Sequence, residues 1–450
     1  MPDVISVRPP VVERPAMSGS WLAAQGRLPL AFMGLGLGWL VAAMVLLALD
    51  PQILALPHTH PRVVALAHAW VLGFFVTVAC GAVYQLAPVA LGTTFVGERY
   101  GWWHFGLHAV GVPGMVYSFW CWDLALLAHC GFAVGVGVLL FAINTWRTIR
   151  RSRRGGTVAW SLALAAGWLL ATVLAGLVLA GNRFWHFIPI DPVLLLRAHA
   201  HLGLVGFFVT LLQGVGLQLV PMFTLGEVRD WRWANAGLAL SQAGLIGLVP
   251  ALVWHLGLLA SASALAITAG MICSGKALRG VLGTRKKRAL DPGTRSFLRG
   301  TVGVGACGLV GLALVIPGSS GGSAPGGFNA MVYAVLVVAG GLLPCLCGMM
   351  CKIVPFLTWM RAYGPRIGRG PIPAAGELTH PRLERWGLRL QFAAVVPLLV
   401  GVWQLNETWL AAGVWILAMG VALFVADMLG VLNHLWIPAS LPPRQPVSVP

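Results

Sequence analysis

Long apolar runs separated by short polar loops make up most of the chain. Twelve runs are long enough for an α-helix to cross a bilayer, which takes about 20 residues. We place them at 28–50, 63–90, 101–122, 123–146, 157–180, 195–224, 233–252, 254–278, 299–317, 329–357, 388–405 and 408–437. The pattern therefore predicts an all-α, polytopic membrane protein with about twelve transmembrane helices.

The second, sixth and tenth runs are related in sequence. The second carries the pattern His-x4-Gly-x7-Gly-x3-Gln-x2-Pro at 68–88, and the sixth repeats it at 201–221, an offset of 133 residues (201 − 68). The tenth keeps both glycines and the proline 134 residues further on (355 − 221), with Val335 for the histidine and Lys352 for the glutamine. Because the copies are four runs apart, we predict three parallel four-helix repeats around a pseudo-threefold axis.

The repeats and the loop charges set the domain limits and the orientation. We predict four-helix repeats at 28–148, 157–281 and 299–438, with polar tails at 1–27 and 439–450. Basic residues cluster in alternate loops, so the positive-inside rule places both termini, and both tails, in the cytoplasm. Only 10% of the residues are charged and the net charge is +17. Since these charges lie in short loops between apolar runs, the bilayer is the expected partner and nucleic acid is not.

Histidines in the outer third of the bundle are the main candidates for chemistry. His68 lies at the start of the second run, His129 in the fourth, and His199 and His201 at the start of the sixth. Neutral imidazole binds haem iron, copper and zinc. A single histidine in a membrane helix often makes only an interhelical hydrogen bond, but a shared depth on three helices favours metal or haem ligation. His199 and His201 are two residues apart, so they should point to different sides of the helix.

Other polar or soft side chains have plainer interpretations. His58 and His60 in the first outer loop are read as solvated residues, or alternatively as a metal-capture site. His104 and His108 are read as interfacial anchors or hydrogen-bonding groups. The tenth run carries Cys347, Met350 and Cys351, a set suited to copper(I) but equally to packing, which we favour.

Two charged residues in the last third of the chain receive structural roles. Lys352 lies near the inner end of the tenth run and is expected to extend its amine towards the interface. Asp427 is solitary in the twelfth run, so we predict a hydrogen bond to a neighbouring helix. The apolar runs contain no pair of carboxylates that would indicate acid–base chemistry.

The chain resembles the catalytic subunit of the haem-copper oxidase superfamily. The resemblance consists of twelve runs in three units, outer histidines, and a helix that leads from His201 to Leu219-Val220-Pro221. The Ala-His-Ala-His start at 198–201 is also similar to the NnrS family of membrane haem and copper proteins. The resemblance implies a haem b ligated through His68, and a metal ion or second haem at His199 or His201. In that arrangement His68 and His201 are axial ligands, and Gly73 and Gly206 leave room for the macrocycle.

The departures from the oxidase pattern limit the expected activity. The tenth run contains no histidine, so the oxygen-reducing centre is incomplete and terminal oxidase activity is not expected. The resemblance then implies a bacterial inner-membrane protein of electron transfer, the nitric oxide response or metal homeostasis, with a periplasmic cytochrome or copper protein as partner. The alternatives are a transporter for copper or another small solute, and a structural subunit. In the transporter, His58 and His60 would capture the ion, and Cys347, Met350 and Cys351 would pass it inward.

Overall fold

The computed structural model describes residues 26–315 and 326–438, which form α-helices joined by short loops and 3₁₀ turns, without a β-strand. We number the long helices in chain order. They are α1 Arg27–Leu49, α2 Pro61–Leu91, α3 Glu98–Cys121, α4 Leu124–Arg151, α5 Thr157–Trp185, α6 Pro192–Thr224, α7 Trp231–Val253, α8 Gly257–Thr284, α9 Pro292–Val315, α10 326–363, α11 Pro381–Gln404 and α12 Glu407–Asn433.

Eleven of these helices, counted over the described residues, are long and apolar enough to cross a membrane. This confirms the prediction of a helical, multi-pass membrane protein. The predicted span 101–122 corresponds to α3, which has 24 residues but lies outside the eleven. Its polar residues explain the difference, because His104 and His108 lower its mean hydropathy. Both histidines are fully buried. The Nδ1 atom of His104 lies 3.0 Å from the Tyr84 hydroxyl, so the hydrogen-bonding interpretation applies to this residue.

The three related helices α2, α6 and α10 form the interior of the bundle. In their apolar windows 78%, 83% and 67% of the residues are buried, compared with 22–56% in the other spans. Each of the three also contains a π-helical segment, at Ala69–Val76, Leu202–Val209 and Leu336–Leu342. These segments begin directly after His68, His201 and Val335. π-Helical turns are rare and frequently occur at functional sites.

A threonine closes the π segment in the same way in α2 and α6. The Thr77 hydroxyl donates to the Leu72 carbonyl at 3.1 Å, and the Thr210 hydroxyl donates to the Val205 carbonyl at 3.3 Å. Each hydroxyl also bonds to the third helix of its predicted unit. His108 Nε2 lies 2.8 Å from Thr77, and Gln242 Nε2 donates to Thr210 at 2.8 Å. His108 is therefore a hydrogen-bonded core residue.

One glycine brings each inner helix close to the first helix of its predicted unit. A methyl group on Gly81 would lie 2.7 Å from the Phe32 Cβ atom of α1, and one on Gly214 would lie 2.5 Å from the Ser161 Cβ atom of α5. A methyl group on Gly348 would lie 2.5 Å from the Gly293 carbonyl oxygen of α9. The same position of the motif thus makes the same kind of close helix contact three times.

We predict opposite effects of alanine at two helical glycines. Gly348→Ala should lower the melting temperature of the detergent-purified protein, because overpacking against rigid backbone costs about 1–3 kcal/mol. Gly275→Ala in α8 has no heavy atom within 4 Å of the added carbon. It should raise the melting temperature slightly, because alanine favours helix over glycine by up to about 1 kcal/mol. A Gly348→Ala protein as stable as Gly275→Ala would contradict the close packing.

Candidate functional site

Two of the predicted histidines lie side by side between α2 and α6. The ring centroids of His68 and His199 are 6.5 Å apart and the ring planes are inclined by 20°. Two imidazoles on opposite sides of one metal ion have centroids about 6 Å apart, since each metal–nitrogen bond is about 2 Å and each centroid lies about 1 Å behind its nitrogen. The spacing of this pair therefore matches two imidazole ligands of one metal ion.

Backbone carbonyls fix the protonation of both rings. His68 Nδ1 donates to the Val64 carbonyl oxygen at 2.8 Å, and His199 Nδ1 donates to the Thr172 carbonyl oxygen at 3.0 Å. A carbonyl oxygen can only accept, so the proton of each neutral ring is on Nδ1 and Nε2 keeps its lone pair. Metal-ligating histidines commonly donate their second nitrogen in this way, which orients the ring.

Residues of α3 and α5 hold the two rings in place. The Phe119 ring packs on His68 with centroids 4.5 Å apart. The His199 ring lies against Gly176 of α5, where a methyl group would come within 3.0 Å of the His199 Cε1 atom. Thr172, one helical turn before Gly176, supplies the carbonyl that accepts from His199. Sequence reasoning missed Phe119, Thr172 and Gly176, because residues of these types are common in apolar helices and carry no motif.

His201 has a different neighbour from His199. Its ring lies against Tyr333 of α10, with centroids 6.1 Å apart and planes inclined by 19°, and its Nδ1 donates to the Arg197 carbonyl oxygen at 2.8 Å. The two histidines of α6 therefore face different helices, in agreement with their predicted divergence. The ring beside His68 belongs to His199, whereas the resemblance paired His68 with His201 as axial ligands.

The remaining histidine candidates lie apart from this pair. His129 is exposed on α4, and its Nδ1 donates to the Ala125 carbonyl oxygen at 2.8 Å. His60 caps the start of α2, where its Nδ1 accepts from the Arg62 amide at 3.3 Å. Both ring nitrogens of His58 are shielded from solvent without a hydrogen-bond partner. Burial, together with the positive charge of Arg197, lowers the pKa of His58 and keeps its ring neutral.

The expected role of Gly73 and Gly206 needs correction. A methyl group on Gly73 would lie 2.6 Å from the indole ring of Trp39, and one on Gly206 would lie 2.8 Å from Trp168. The room that these glycines make is filled by tryptophan side chains of α1 and α5. Close helix packing, which the same sequence pattern also allowed, is what the two glycines provide.

The sulfur-containing side chains of α10 are packed in the core. Cys347, Met350 and Cys351 are 0%, 1% and 3% exposed. Nearby, the Cys345 thiol donates to the Phe297 carbonyl oxygen of α9 at 3.5 Å. In the described part of the chain, no three or more His, Cys, Asp or Glu side chains are arranged to hold a metal ion. Among the described residues, the His68–His199 pair therefore offers two imidazoles and is not joined by a third group of these types.

A polar cluster that the sequence did not predict lies near the far end of α10. Lys352 is 17 residues beyond Val335 (352 − 335), or about 25 Å along the helix. Its amine lies 2.7 Å from the Asp291 carboxylate. A Glu384 oxygen accepts from the Gly293 amide at 3.2 Å, and an Asp427 oxygen accepts from the His380 amide at 2.6 Å. Asp427 thus makes its predicted hydrogen bond, but it is not solitary, because carboxylates from three distant segments meet here.

This cluster borders a cavity of about 590 Å³, whose lining includes Asp291, Cys351, Lys352 and Glu384. The second oxygen of Asp427 is buried without a hydrogen-bond partner. Burial tends to raise the pKa of Asp291, but hydrogen bonds from Lys352 and Thr294 outweigh it and hold that pKa below its ordinary value. The ion pair therefore keeps Asp291 charged at neutral pH.

Comparisons with known proteins give no family assignment. No protein-family model matches the chain, and no curated protein matches it significantly. The functional conclusion must therefore come from the geometry of the histidine pair and of the polar cluster.

We predict that Lys352→Met lowers the melting temperature at neutral pH by the equivalent of about 2 kcal/mol, because it leaves the charged Asp291 carboxylate with only the exposed Lys287, 3.7 Å away, as a cationic partner. Asp291 has a depressed pKa, so its contribution to stability is present above its unfolded pKa and disappears as the pH falls through the folded pKa. The difference between wild type and variant should therefore shrink as the protein is melted at successively lower pH.

Lys287→Met serves as the matched control for this measurement. The Lys287 amine lies 3.7 Å from the same carboxylate, but its side chain is 50% exposed. An exposed ion pair contributes little, so this variant should melt close to wild type. Equal losses in Lys352→Met and Lys287→Met, or a loss that does not depend on pH, would contradict the role of the buried pair.

Proposed function

We propose that the chain is an integral membrane metalloprotein in which His68 and His199 hold one haem iron or one copper ion. The observation that carries this proposal is the ring pair, with 6.5 Å between centroids and both Nδ1 atoms bound to carbonyls. On this basis we place the protein in electron transfer, the nitric oxide response or metal homeostasis, on a scaffold related to haem-copper oxidases.

The donor chemistry fits the proposed metal. Imidazole nitrogen suits copper and iron, and histidine is a common axial ligand of haem. The bound metal would supply one-electron redox chemistry. The carbonyls of Val64 and Thr172 orient the two rings, while Phe119 and Gly176 limit their movement. The rings of His68 and His199 are partly buried among the helices, and the surroundings of a metal centre tune it through their polarity.

We further infer the three-unit arrangement around a pseudo-threefold axis. Its support is that the two ring pairs, His68–His199 and His201–Tyr333, use equivalent positions. Tyr333 follows His199 by 134 residues (333 − 199), and His201 follows His68 by 133 (201 − 68). Each pair therefore joins one unit to the next with nearly the same geometry. The third interface would bring together Val335 and Leu66, which are apolar. Only one of the three interfaces then offers two imidazoles.

The proposed orientation puts the metal site near the outer face of a bacterial inner membrane. Basic loops would lie in the cytoplasm together with both termini. His68 and His199 both lie near the start of their helices, on the side away from the basic loops. They are therefore within reach of a periplasmic electron donor or copper carrier. A cytochrome or a small copper protein is the partner that fits such a site.

The cavity near Lys352 supports a second candidate function, that of a transporter. A transporter for copper or another small solute needs a path to the opposite face, and a cavity of about 590 Å³ reaches Cys351 from that side. In this alternative the histidine pair is a transient binding site rather than the ligand set of a resident centre.

The test is the haem and copper content of the purified protein. Wild type should show either a Soret band with a reduced α-band or one copper per chain. His68→Ala and His199→Ala should each lose at least about 90% of that content, because one remaining imidazole binds far more weakly. His201→Ala is the matched control, since its ring faces Tyr333 and not a second imidazole. It should keep the metal.

A further variant separates ligation from general damage to α6. Gly176→Leu should displace the His199 ring without removing it, and so reduce metal content while the protein remains folded by size-exclusion chromatography. Full haem and copper content in a folded His68→Ala/His199→Ala double variant would rule out the proposed site. Copper uptake by proteoliposomes, without retained copper after purification, would instead support the transporter.

A further inference from the structure

Four arginines line one cleft between the starts of α9 and α11. Arg295 and Arg299 come from α9, and Arg385 and Arg389 come from α11. The two helices are in contact, and the Gly293 amide of α9 donates to Glu384 of α11 beside the cleft. Each arginine pair is spaced i, i+4, so the two guanidinium groups of a pair lie on the same side of their helix.

No ion pair within the described residues neutralises these four charges. The three pairs found there join Asp50 to Arg62, and Asp291 to Lys287 and to Lys352. The nearest carboxylates are engaged, since Asp291 binds Lys352 at 2.7 Å and Glu384 accepts from Gly293. Like charges at i, i+4 destabilise a helix, and here two such pairs share one cleft. An anion in the cleft would relieve this repulsion.

The position of the cleft identifies the kind of anion. All four arginines lie within the first nine residues of their helices, or about 14 Å from the helix starts. The cleft is also lined by the apolar side chains of Leu388 and Phe392. The Arg299 guanidinium lies 5.9 Å from the Phe392 ring centroid. Phe392 is 43% exposed on the surface of the bundle. Positive charge above an apolar surface complements a molecule with an anionic head and hydrocarbon tails.

We propose that this cleft, formed by Arg295, Arg299, Arg385 and Arg389 over Leu388 and Phe392, is a binding site for one anionic phospholipid. Guanidinium groups bind phosphate oxygens through paired hydrogen bonds. Basic pockets between membrane helices on the cytoplasmic side bind anionic headgroups by the same chemistry. The acyl chains lie along the exposed Phe392 ring, while Leu388 lines the cleft from the core.

The experiment is lipid titration of the delipidated, full-length protein in detergent, followed by native mass spectrometry. The probe is dioleoyl phosphatidylglycerol, with dioleoyl phosphatidylcholine as the zwitterionic reference. Wild type should bind one phosphatidylglycerol well before further adducts appear, and it should bind phosphatidylcholine at least tenfold more weakly. In Arg295→Gln/Arg389→Gln the first binding step should weaken about 25-fold, at about fivefold for each lost charge.

Arg150→Gln/Arg151→Gln is the matched control, because it removes two exposed charges at the end of α4, outside the cleft. It should leave the first binding step unchanged. Arg295→Lys/Arg389→Lys keeps the charge and should weaken binding only a few-fold, which preserves the test if the glutamine variant does not fold.

Three results would overturn the lipid site. Equal weakening in the cleft variant and the α4 control would mean that general surface charge attracts the lipid. Equal affinity for phosphatidylcholine would mean that the cleft does not select an anion. Displacement of the lipid by millimolar inorganic phosphate, with phosphate itself bound, would mean that the ligand is a soluble anion.

Discussion

Polar groups in the bundle interior must form hydrogen bonds without water. This requirement is strongest at the three π segments. A π-helical turn shifts the register of the backbone hydrogen bonds, so extra partners are needed at its ends. Thr77 and Thr210 donate to carbonyls five residues earlier, at the ends of the segments in α2 and α6. Near the beginning of those segments, His68 and His201 donate to carbonyls four residues earlier.

The same requirement prepares the histidine pair for chemistry. A neutral ring whose Nδ1–H donates a hydrogen bond to a carbonyl presents Nε2 with its lone pair free, which is the form that binds a metal. In His68 this arrangement is set by its own helix, and in His199 it is set by Thr172 of α5. The hydrogen bonds that satisfy the interior are therefore also those that prepare the proposed ligands. Structure and proposed function depend on the same contacts.

The sequence predicted the features that depend on one helix at a time. Apolar length identified the spans, and the two-residue separation of His199 and His201 predicted their divergence. Features that depend on contacts between distant segments were missed or misassigned. Gly73 and Gly206 were expected to leave room for a cofactor, but Trp39 and Trp168 fill that room. The pairing of His68 with His199 and the cluster around Lys352 both depend on how several helices pack together. The spacing of residues along the chain does not indicate such packing.

In the three-unit arrangement that we infer, differences between the repeated helices indicate how the units have diverged. The position of His68 is histidine in two copies and Val335 in the third, and the position of His199 is Leu66, His199 and Tyr333. A pair of imidazoles can therefore form at one interface only. The third copy has Lys352 where the others have glutamine, and Lys352 pairs with Asp291 close to the arginine cleft. In the arrangement and orientation that we propose, the metal site lies on the outer side between the first two units, and the buried charges and the arginine cleft lie on the inner side, at α9, α10 and α11.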